Sequence, residues 1–371
     1  MNLQRHKRVI ISGGGTGGHI FPAISIANAL RRLDRDIEIL FVGAEGRMEM
    51  EKVPAAGYRI IGLPVAGFDR NHIFRNLAVF IKLYKSLRLA KKTIKEFNPD
   101  VAVGVGGYAS GPVLKQSERL GIPVLIQEQN STSGVTNRLL AGKASVICVA
   151  YDGMDKYFPA GRVVKTGNPV RQNYDNLGQL RKEALGFFNL RNDLPVILIL
   201  GGSLGAGKIN KLLSDNIETV KKSGCQFLWQ TGKFYYENIK KIVTESSAGN
   251  IAVYPFIDKM DLAFSAADVI VSRAGAGTIS ELCLVGKPVI LVPSPNVAED
   301  HQTRNAKALE GKGAAIVIAD DLVEKLLLNE MTKLVYDTRK KRMLSENISK
   351  MAERDADLRI AKEVLKLIKD D

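Results

Sequence analysis

The chain has 371 residues, 45% hydrophobic and 25% charged, which is the make-up of a globular protein with room for two domains. Its formal net charge of +14 favours anionic partners: nucleic acid, acidic lipid headgroups or phosphorylated metabolites. No apolar run reaches the ~18–20 residues of a spanning helix, three cysteines without paired spacing argue for a reducing compartment, and four histidines without metal-ligand spacing argue against a metal held by soft ligands.

The start, Met1-Asn2-Leu3-Gln4-Arg5-His6-Lys7-Arg8, is basic and leads into few apolar residues, so no signal peptide is expected. Residues 9–12 read as a buried parallel strand and residues 20–33 as a helix with Ile24, Ala27 and Leu30 at helical spacing. Between them lies Gly13-Gly14-Gly15-Thr16-Gly17-Gly18-His19. Glycines at such a junction let backbone approach a ligand, and the amides of the following helix face an anion. Further strands are expected at 37–42, 101–105, 124–127 and 145–149, the pattern of a parallel sheet covered on both faces. Two loops, Gly104-Val105-Gly106-Gly107-Tyr108 and Gln127-Glu128-Gln129-Asn130, follow two of these strands.

From Arg70 to Lys95 there are eight Lys or Arg residues (Arg70, Arg75, Lys82, Lys85, Arg88, Lys91, Lys92, Lys95) and no acidic one. Phe74, Leu77, Ile81 and Tyr84 interleave with them at helical spacing. Such a basic amphipathic helix can lie in a membrane interface; the alternative is a core-facing stripe with a solvated basic back. Aromatic platforms interleaved with Arg are absent, which argues against nucleic acid.

The same grammar restarts near Pro195. A strand at 196–200 runs into Gly201-Gly202-Ser203-Leu204-Gly205-Ala206-Gly207, then a helix over about 208–221, with strands at 227–230, 251–254, 269–272, 289–292 and 315–318. A linker is expected near Gly167-Asn168-Pro169, and from Leu322 the chain reads as charged and helical. Two doubly wound domains of similar plan would bind a ligand at the carboxyl ends of their strands, in a cleft between them.

Each glycine loop admits more than one chemistry. Gly13-x-Gly15-x-x-Gly18 has dinucleotide spacing, but Leu40-Phe41-Val42 ends in Gly43 where a ribose-binding acid belongs, and Glu45 falls beyond it. Gly201-x-Ser203-x-Gly205 has the spacing of a hydrolase nucleophile elbow, with Asp268 and His301 in the required order; Ser203 as a phosphate donor is the preferred reading. Gly202-x-x-x-x-Gly207-Lys208 resembles a P-loop, with Ile209 where Mg²⁺ requires a hydroxyl. Arg273-Ala274-Gly275-Ala276-Gly277-Thr278-Ile279-Ser280-Glu281 is a third strand-to-helix junction, with Thr278 and Ser280 suited to capping or phosphate duty and Glu281 to a ribose diol or a capping box.

Together these motifs closely resemble the MurG transferase family, GT-B glycosyltransferases that add N-acetylglucosamine to the undecaprenyl-linked muramyl pentapeptide in bacterial cell-wall synthesis. The resemblance runs through most of the chain in order: Gly14 to His19, Gly106-Gly107-Tyr108-Ala109-Ser110-Gly111-Pro112, Glu128-Gln129-Asn130, Gly167-Asn168-Pro169-Val170-Arg171, Gly201-Gly202-Ser203 with Gly205-Ala206, Phe256-Ile257, and Arg273 to Glu281. At His301 the chain departs from other members, which carry a basic residue there; Gln302 still aligns.

The resemblance implies two Rossmann-like doubly wound α/β domains facing a cleft. Residues 1–167 would form the acceptor and membrane-binding domain, with the last helix, about 352–371, packing back on it. Residues 168–351 would form the domain for UDP-N-acetylglucosamine. There Ile257 would offer backbone groups to uracil, Glu281 would bind ribose, and Ser203 with Ala276, Gly277, Thr278, Ile279 and Ser280 would hold the diphosphate. Gln302 and Asn130 would read the sugar, Thr16, Gly17 and Gly18 would close on the donor, and Arg171 would sit near the hinge. Gly14, Gly15, Gly106, Gly107 and Tyr108 would take the diphosphate of the lipid-linked acceptor, lipid I.

An α-linked donor and a β-linked product imply a single inverting displacement by the muramyl 4-hydroxyl. That needs a general base and stabilisation of the leaving diphosphate, which helix N-termini with Arg or Ser donors can give without metal or other cofactor. His19 is the first candidate base, because its reference pKa of ~6.5 leaves it largely neutral in the cytosol; Glu128 is its rival. The membrane-borne acceptor gives Phe74, Leu77, Ile81 and Tyr84, with Lys82, Lys85 and Arg88, a docking role on the anionic cytoplasmic face of the bacterial inner membrane, where the protein would be peripheral and meet cell-wall synthesis proteins. The competing classes are an α/β-hydrolase centred on Ser203 and a non-catalytic binder of nucleotide or anionic lipid.

Overall fold

The computed structural model describes residues 5–65, 76–170, 174, 176–202, 205–297 and 300–368. The chain divides into two compact units, residues 1–171 with 355–371 and residues 172–354. Each is built on one all-parallel sheet.

In the first unit the elements run β1 (Arg8–Ser12), α1 (Gly17–Leu33), β2 (Glu38–Ala44), α2 (Glu49–Ala55), β3 (Arg59–Leu63), α3 (Asn76–Phe97), β4 (Val101–Gly104), α4 (Ser110–Arg119), β5 (Val124–Glu128), α5 (Val135–Leu140), β6 (Val146–Val149) and β7 (Val163–Lys165). The sheet order is β3-β2-β1-β4-β5-β6-β7. Strand side chains alternate between two cores, as the two-residue period of a strand requires. Val9, Ile11, Phe41 and Val103 face one helical layer with Ile20, Ile26 and Leu30 of α1. Ile10, Leu40, Val42 and Ala102 face the other, with Ala90 and Ile94 of α3 and Val113 and Leu114 of α4. Both faces are covered, which is why the central strands read as continuous apolar runs.

The second unit repeats the plan with α6 (Leu177–Phe187), β8 (Val196–Leu200), α7 (Gly207–Asp215), α8 (Ile217–Lys221), β9 (Gln226–Gln230), α9 (Tyr236–Glu245), β10 (Ile251–Tyr254), α10 (Met260–Ala266), β11 (Val269–Ser272), α11 (Ala276–Val285), β12 (Val289–Leu291), α12 (His301–Glu310), β13 (Ile316–Val317), α13 (Val323–Tyr336) and α14 (Thr338–Ser349). Its order is β10-β9-β8-β11-β12-β13. Ile197, Ile199, Phe227, Trp229 and Val271 meet Ile209 of α7 and Leu327 and Met331 of α13 in one core. The last helix, α15 (Ala356–Lys366), returns to the first unit. Its Ile360, Ala361 and Val364 join the core under α1, and Asp357 pairs with Arg32 at the end of α1.

Three details depart from expectation. Residues 59–63 and 163–165 form the sheet's outer strands β3 and β7; each is half-exposed and carries charge, so it lacks the apolar run of an inner strand. The helix expected over 208–221 is two, α7 and α8. Asn216 stands between them and donates its side-chain amide to the Leu212 carbonyl at 2.9 Å, competing with the helical ladder.

In both sheets the strand order reverses between the first strand and its later neighbour, β1 against β4 and β8 against β11. That reversal opens a crevice at the carboxyl ends of the strands, the place where doubly wound sheets bind ligands. All the glycine loops leave the sheets there.

Candidate functional site

In the first unit the loop after β1 is packed between two neighbours. Gly15 adopts φ +88°, a left-handed conformation natural only to glycine, and this turns its amide inward to both carboxylate oxygens of Glu49, at 3.0 and 3.2 Å. Glu49, the first residue of α2, is 1% exposed and also accepts the Ala44 amide at 3.0 Å. On the other side Gly107 lies so close that a Cβ there would overlap the Gly14 carbonyl. Thr16 ends the loop as the residue before α1, and Gly17, Gly18 and His19 form the first turn. Thr16 Oγ1 lies 3.2 Å from His19 Nδ1. The His19 ring stands against Gly106, where a Cβ would come within 3.0 Å of Nε2. So the structure brings Thr16, Gly17, Gly18, His19, Gly106 and Gly107 together, while Tyr108 projects into solvent at 61% exposure.

Glu128 ends β5 and is 1% exposed. One oxygen accepts the Asn130 backbone and side-chain amides at 3.1 and 3.3 Å; the other accepts Gly134 N at 2.9 Å and Asn137 Nδ2 at 2.9 Å. Burial pushes its pKa up against the pull of these four donors. The carboxylate thereby fixes the 129–134 loop and the start of α5, and it sets Asn130. Gln127, Gln129 and Asn168 complete a buried net: Gln129 donates to the Val105 carbonyl at 2.8 Å and Asn168 to the Gln129 carbonyl at 3.0 Å.

In the second unit β11 feeds α11 through Gly275, whose extended φ and ψ of −65° and 143° make it the helix cap. The first intrahelical bond runs from Ile279 N to Gly275 O at 2.9 Å. The first turn holds Ala276, Gly277 and Thr278 and no acidic residue. Gln302 of α12 accepts the amides of Ala274 and Ser294 at 3.2 and 2.9 Å, which clamps it to the base of this turn. Ser280 donates back to Ala276 O at 3.1 Å. Glu281, one turn into the helix, accepts from Tyr174 at 3.2 Å, a partner no sequence pattern signalled. Ile257 is 2% exposed and spends its N–H on Gln230 Oε1 at 3.0 Å. Ser203 and Arg171 lie outside the described residues.

The hydrolase alternative fails here, and the near P-loop, which already lacks a metal-binding hydroxyl at Ile209, has its lysine engaged elsewhere. Asp268 opens β11 at the opposite end of the sheet from the 201–207 loop. Its carboxylate accepts Val196 N at 2.8 Å and pairs with Arg181 at 3.0 Å. The length of a five-residue strand, roughly 17 Å, separates it from the end of β8 where the glycine loop begins, so it is not placed as the acid of a hydrolase triad. Lys208, the lysine of the near P-loop, is drawn to Asp320 at 3.2 Å, and Asp320 also holds Arg273 at 2.6 Å.

On α3 two of the expected apolar residues, Ile81 and Tyr84, do not face the core. Ile81 is 53% and Tyr84 58% exposed, beside exposed Lys82, Lys85 and Arg88. The buried side of the helix is Ser86, Ala90, Thr93 and Ile94. The core-facing alternative is thus wrong for Ile81 and Tyr84. Phe74 and the side chain of Leu77 lie outside the described residues. Among the described residues no helix is long and apolar enough to cross a membrane, and no cluster of metal-ligating side chains occurs.

With this geometry established, likeness to other proteins becomes informative. Residues 9–149 match the glycosyltransferase family 28 N-terminal domain and residues 196–362 the family 28 C-terminal domain. A protein of Parabacteroides distasonis, 57% identical over 98% of this chain and 99% of its own, is named UDP-N-acetylglucosamine–N-acetylmuramyl-(pentapeptide) pyrophosphoryl-undecaprenol N-acetylglucosamine transferase. A Bacteroides thetaiotaomicron protein of the same name is 56% identical over 98% of this chain and 99% of its own. The crystal structure of Acinetobacter baumannii MurG superposes with a TM-score of 0.79 at 29% identity, covering 97% of this chain and 99% of that one.

Proposed function

The chain belongs to glycosyltransferase family 28, and from that premise we infer that it transfers N-acetylglucosamine from UDP-N-acetylglucosamine to the muramyl 4-hydroxyl of undecaprenyl-pyrophosphoryl-N-acetylmuramyl-pentapeptide, with inversion, in peptidoglycan synthesis. One observation carries the donor half of the reading: at the strand-order reversal of the second sheet, α11 begins with small residues and no acidic residue in its first turn, with Glu281 one turn below.

The diphosphate of the donor is met by the amides of Ala276, Gly277 and Thr278, whose helix dipole favours negative charge. Ser203 and Ser280 add hydroxyls. Glu281, oriented by Tyr174, takes the ribose diol. Ile257, its N–H already spent on Gln230, offers uracil its carbonyl. The same amides stabilise the diphosphate as it leaves, so charge that develops in the transition state meets donors already in place.

His19 takes the acceptor proton. A proton on Nδ1, shared with Thr16 Oγ1, makes Nε2 the basic nitrogen. Glu128 accepts four protein donors and serves better as the residue that sets Asn130. The first unit holds the acceptor through Gly106, Gly107 and Tyr108. The exposed apolar and basic face of α3 docks it on an anionic leaflet, which places the protein peripherally on the cytoplasmic face of the inner membrane.

The test is incubation with UDP-N-acetylglucosamine and a short-chain lipid I analogue. UDP release matched by an acceptor heavier by one N-acetylglucosamine is the expected result. Donor binding without turnover would reduce the protein to a nucleotide-sugar binder and overturn the reading.

A further inference from the structure

The buried carboxylate of Glu49 has no part in the chemistry above, yet it is built into the first glycine loop, between that loop and the end of β2. It takes the Gly15 amide on both oxygens and the Ala44 amide on one. Room for it is made from both sides. A Cβ on Gly14 would overlap the carboxylate, and a Cβ on Gly43 would come within 2.6 Å of Glu49 Cγ. Gly14 is therefore held between an anion on one side and the backbone of Gly107 on the other. Gly15 leads directly to Thr16 and on to His19, whose backbone amide donates to Thr16 O at 3.1 Å. Its ring is pinned by Thr16 Oγ1 and abuts Gly106.

We propose that Glu49 is a positioning residue for the transfer reaction: a buried carboxylate that holds the first glycine loop, sets Gly14–Gly15 against Gly106–Gly107, and so fixes the ring of His19 over the acceptor side. This rests on the functional reading above. It has two consequences. The Gly15 amide is closed to a ligand phosphate, so the acceptor diphosphate falls to the Gly106–Tyr108 loop. A nucleotide phosphate is disfavoured at this loop by the carboxylate already seated against the Gly15 and Ala44 amides.

Glu49→Gln keeps the shape but places an NH₂ against the Gly15 N–H. Gly43→Ala displaces the same side chain from a position that touches neither substrate. Both variants are expected to lose tenfold or more in kcat, with the KM for UDP-N-acetylglucosamine within twofold of wild type. The imidazole resonances of His19 should move in the NMR spectra of both, while resonances of residues 172–354 stay in place. Wild-type kcat in the two variants, an equal loss in donor KM, or an unmoved His19 imidazole would overturn the proposal. If the wild-type protein released no UDP, the functional reading would fall. The His19 resonances would still decide whether Glu49 positions the loop.

Discussion

The two units start from the same local grammar, a buried strand, small residues and a helix, and differ in the group that accepts the loop amide. After β1 the loop amide is already taken by a carboxylate from its own chain, Glu49. After β11 the corresponding loop amide, that of Ala274, is accepted by the neutral side chain of Gln302, while α1 and α11 alike open without an acidic residue in the first turn. A glycine-rich turn is thus not in itself an anion site. What decides is whether the fold supplies the anion or leaves that to a ligand. The proposed division, in which the first unit positions and the second binds charge, is what each of the following experiments tries to pull apart.

The largest effect belongs to the histidine. His19→Ala should cost about 10²–10⁴ in kcat, the usual worth of a positioned general base, with UDP-N-acetylglucosamine affinity by calorimetry unchanged. Near-normal kcat at saturating acceptor would show that His19 is not the base, and a parallel loss of donor affinity would break the division of labour. Next comes the reverse experiment on the second unit. Thr278→Asp puts into the first turn of α11 the anion that the first unit carries internally. Donor affinity should fall roughly 10–100-fold by competition and repulsion, while thermal stability holds or rises slightly, because an acidic residue there suits the helix dipole. Unchanged affinity would remove α11 from the diphosphate site.

A smaller effect concerns how the first unit reaches its substrate. Ile81→Glu combined with Lys85→Glu should weaken binding to anionic vesicles about tenfold or more, since each basic residue near such a surface contributes ~1 kcal/mol. Turnover of a soluble short-chain acceptor should be untouched, and unchanged vesicle binding would sink the docking role of α3. The smallest effect on function lies at the base of the second sheet. Burial pulls the Lys287 ammonium down to about 8 from its ordinary 10.5, partly offset by Asp268. The folded state then binds this proton less tightly than the unfolded chain, so stability rises as pH climbs from 8 towards 10.5. The urea midpoint of wild type relative to Lys287→Met should increase over that window, by an amount worth about 3 kcal/mol at most. A flat difference would mean that the lysine keeps an ordinary pKa.

Most of the sheet was legible because inner parallel strands are buried on both faces and so read as apolar runs. The outer strands β3 and β7 were not, since residues such as Arg59 and Lys165 break the run. The glycine loops were legible as loops, but their electrical character was not. Glu49, Met50 and Glu51 look like an ordinary acidic start to a short helix, and only the fold shows that one carboxylate points into a neighbouring turn 34 residues away in sequence. Tyr174 and Gln230 were silent for the same reason: each acts on a site residue by a contact that no spacing encodes. The apolar–basic stripe on α3 was visible in sequence, but which way Ile81 and Tyr84 pointed needed the packing of Ala90 and Ile94 to settle it.

The return of α15 to the first unit carries a consequence for biosynthesis. Ile360, Ala361 and Val364 belong to the same core as Val9 and Ile20, so the first unit to leave the ribosome is the last to be finished. Through the synthesis of the whole second unit, α1 waits with an uncovered apolar side, the kind of transient surface on which chaperones act and aggregation starts. Loss of the turns of α15 would therefore strike the opposite end of the chain, unseating α1 and the histidine at its head while the second unit folds undisturbed.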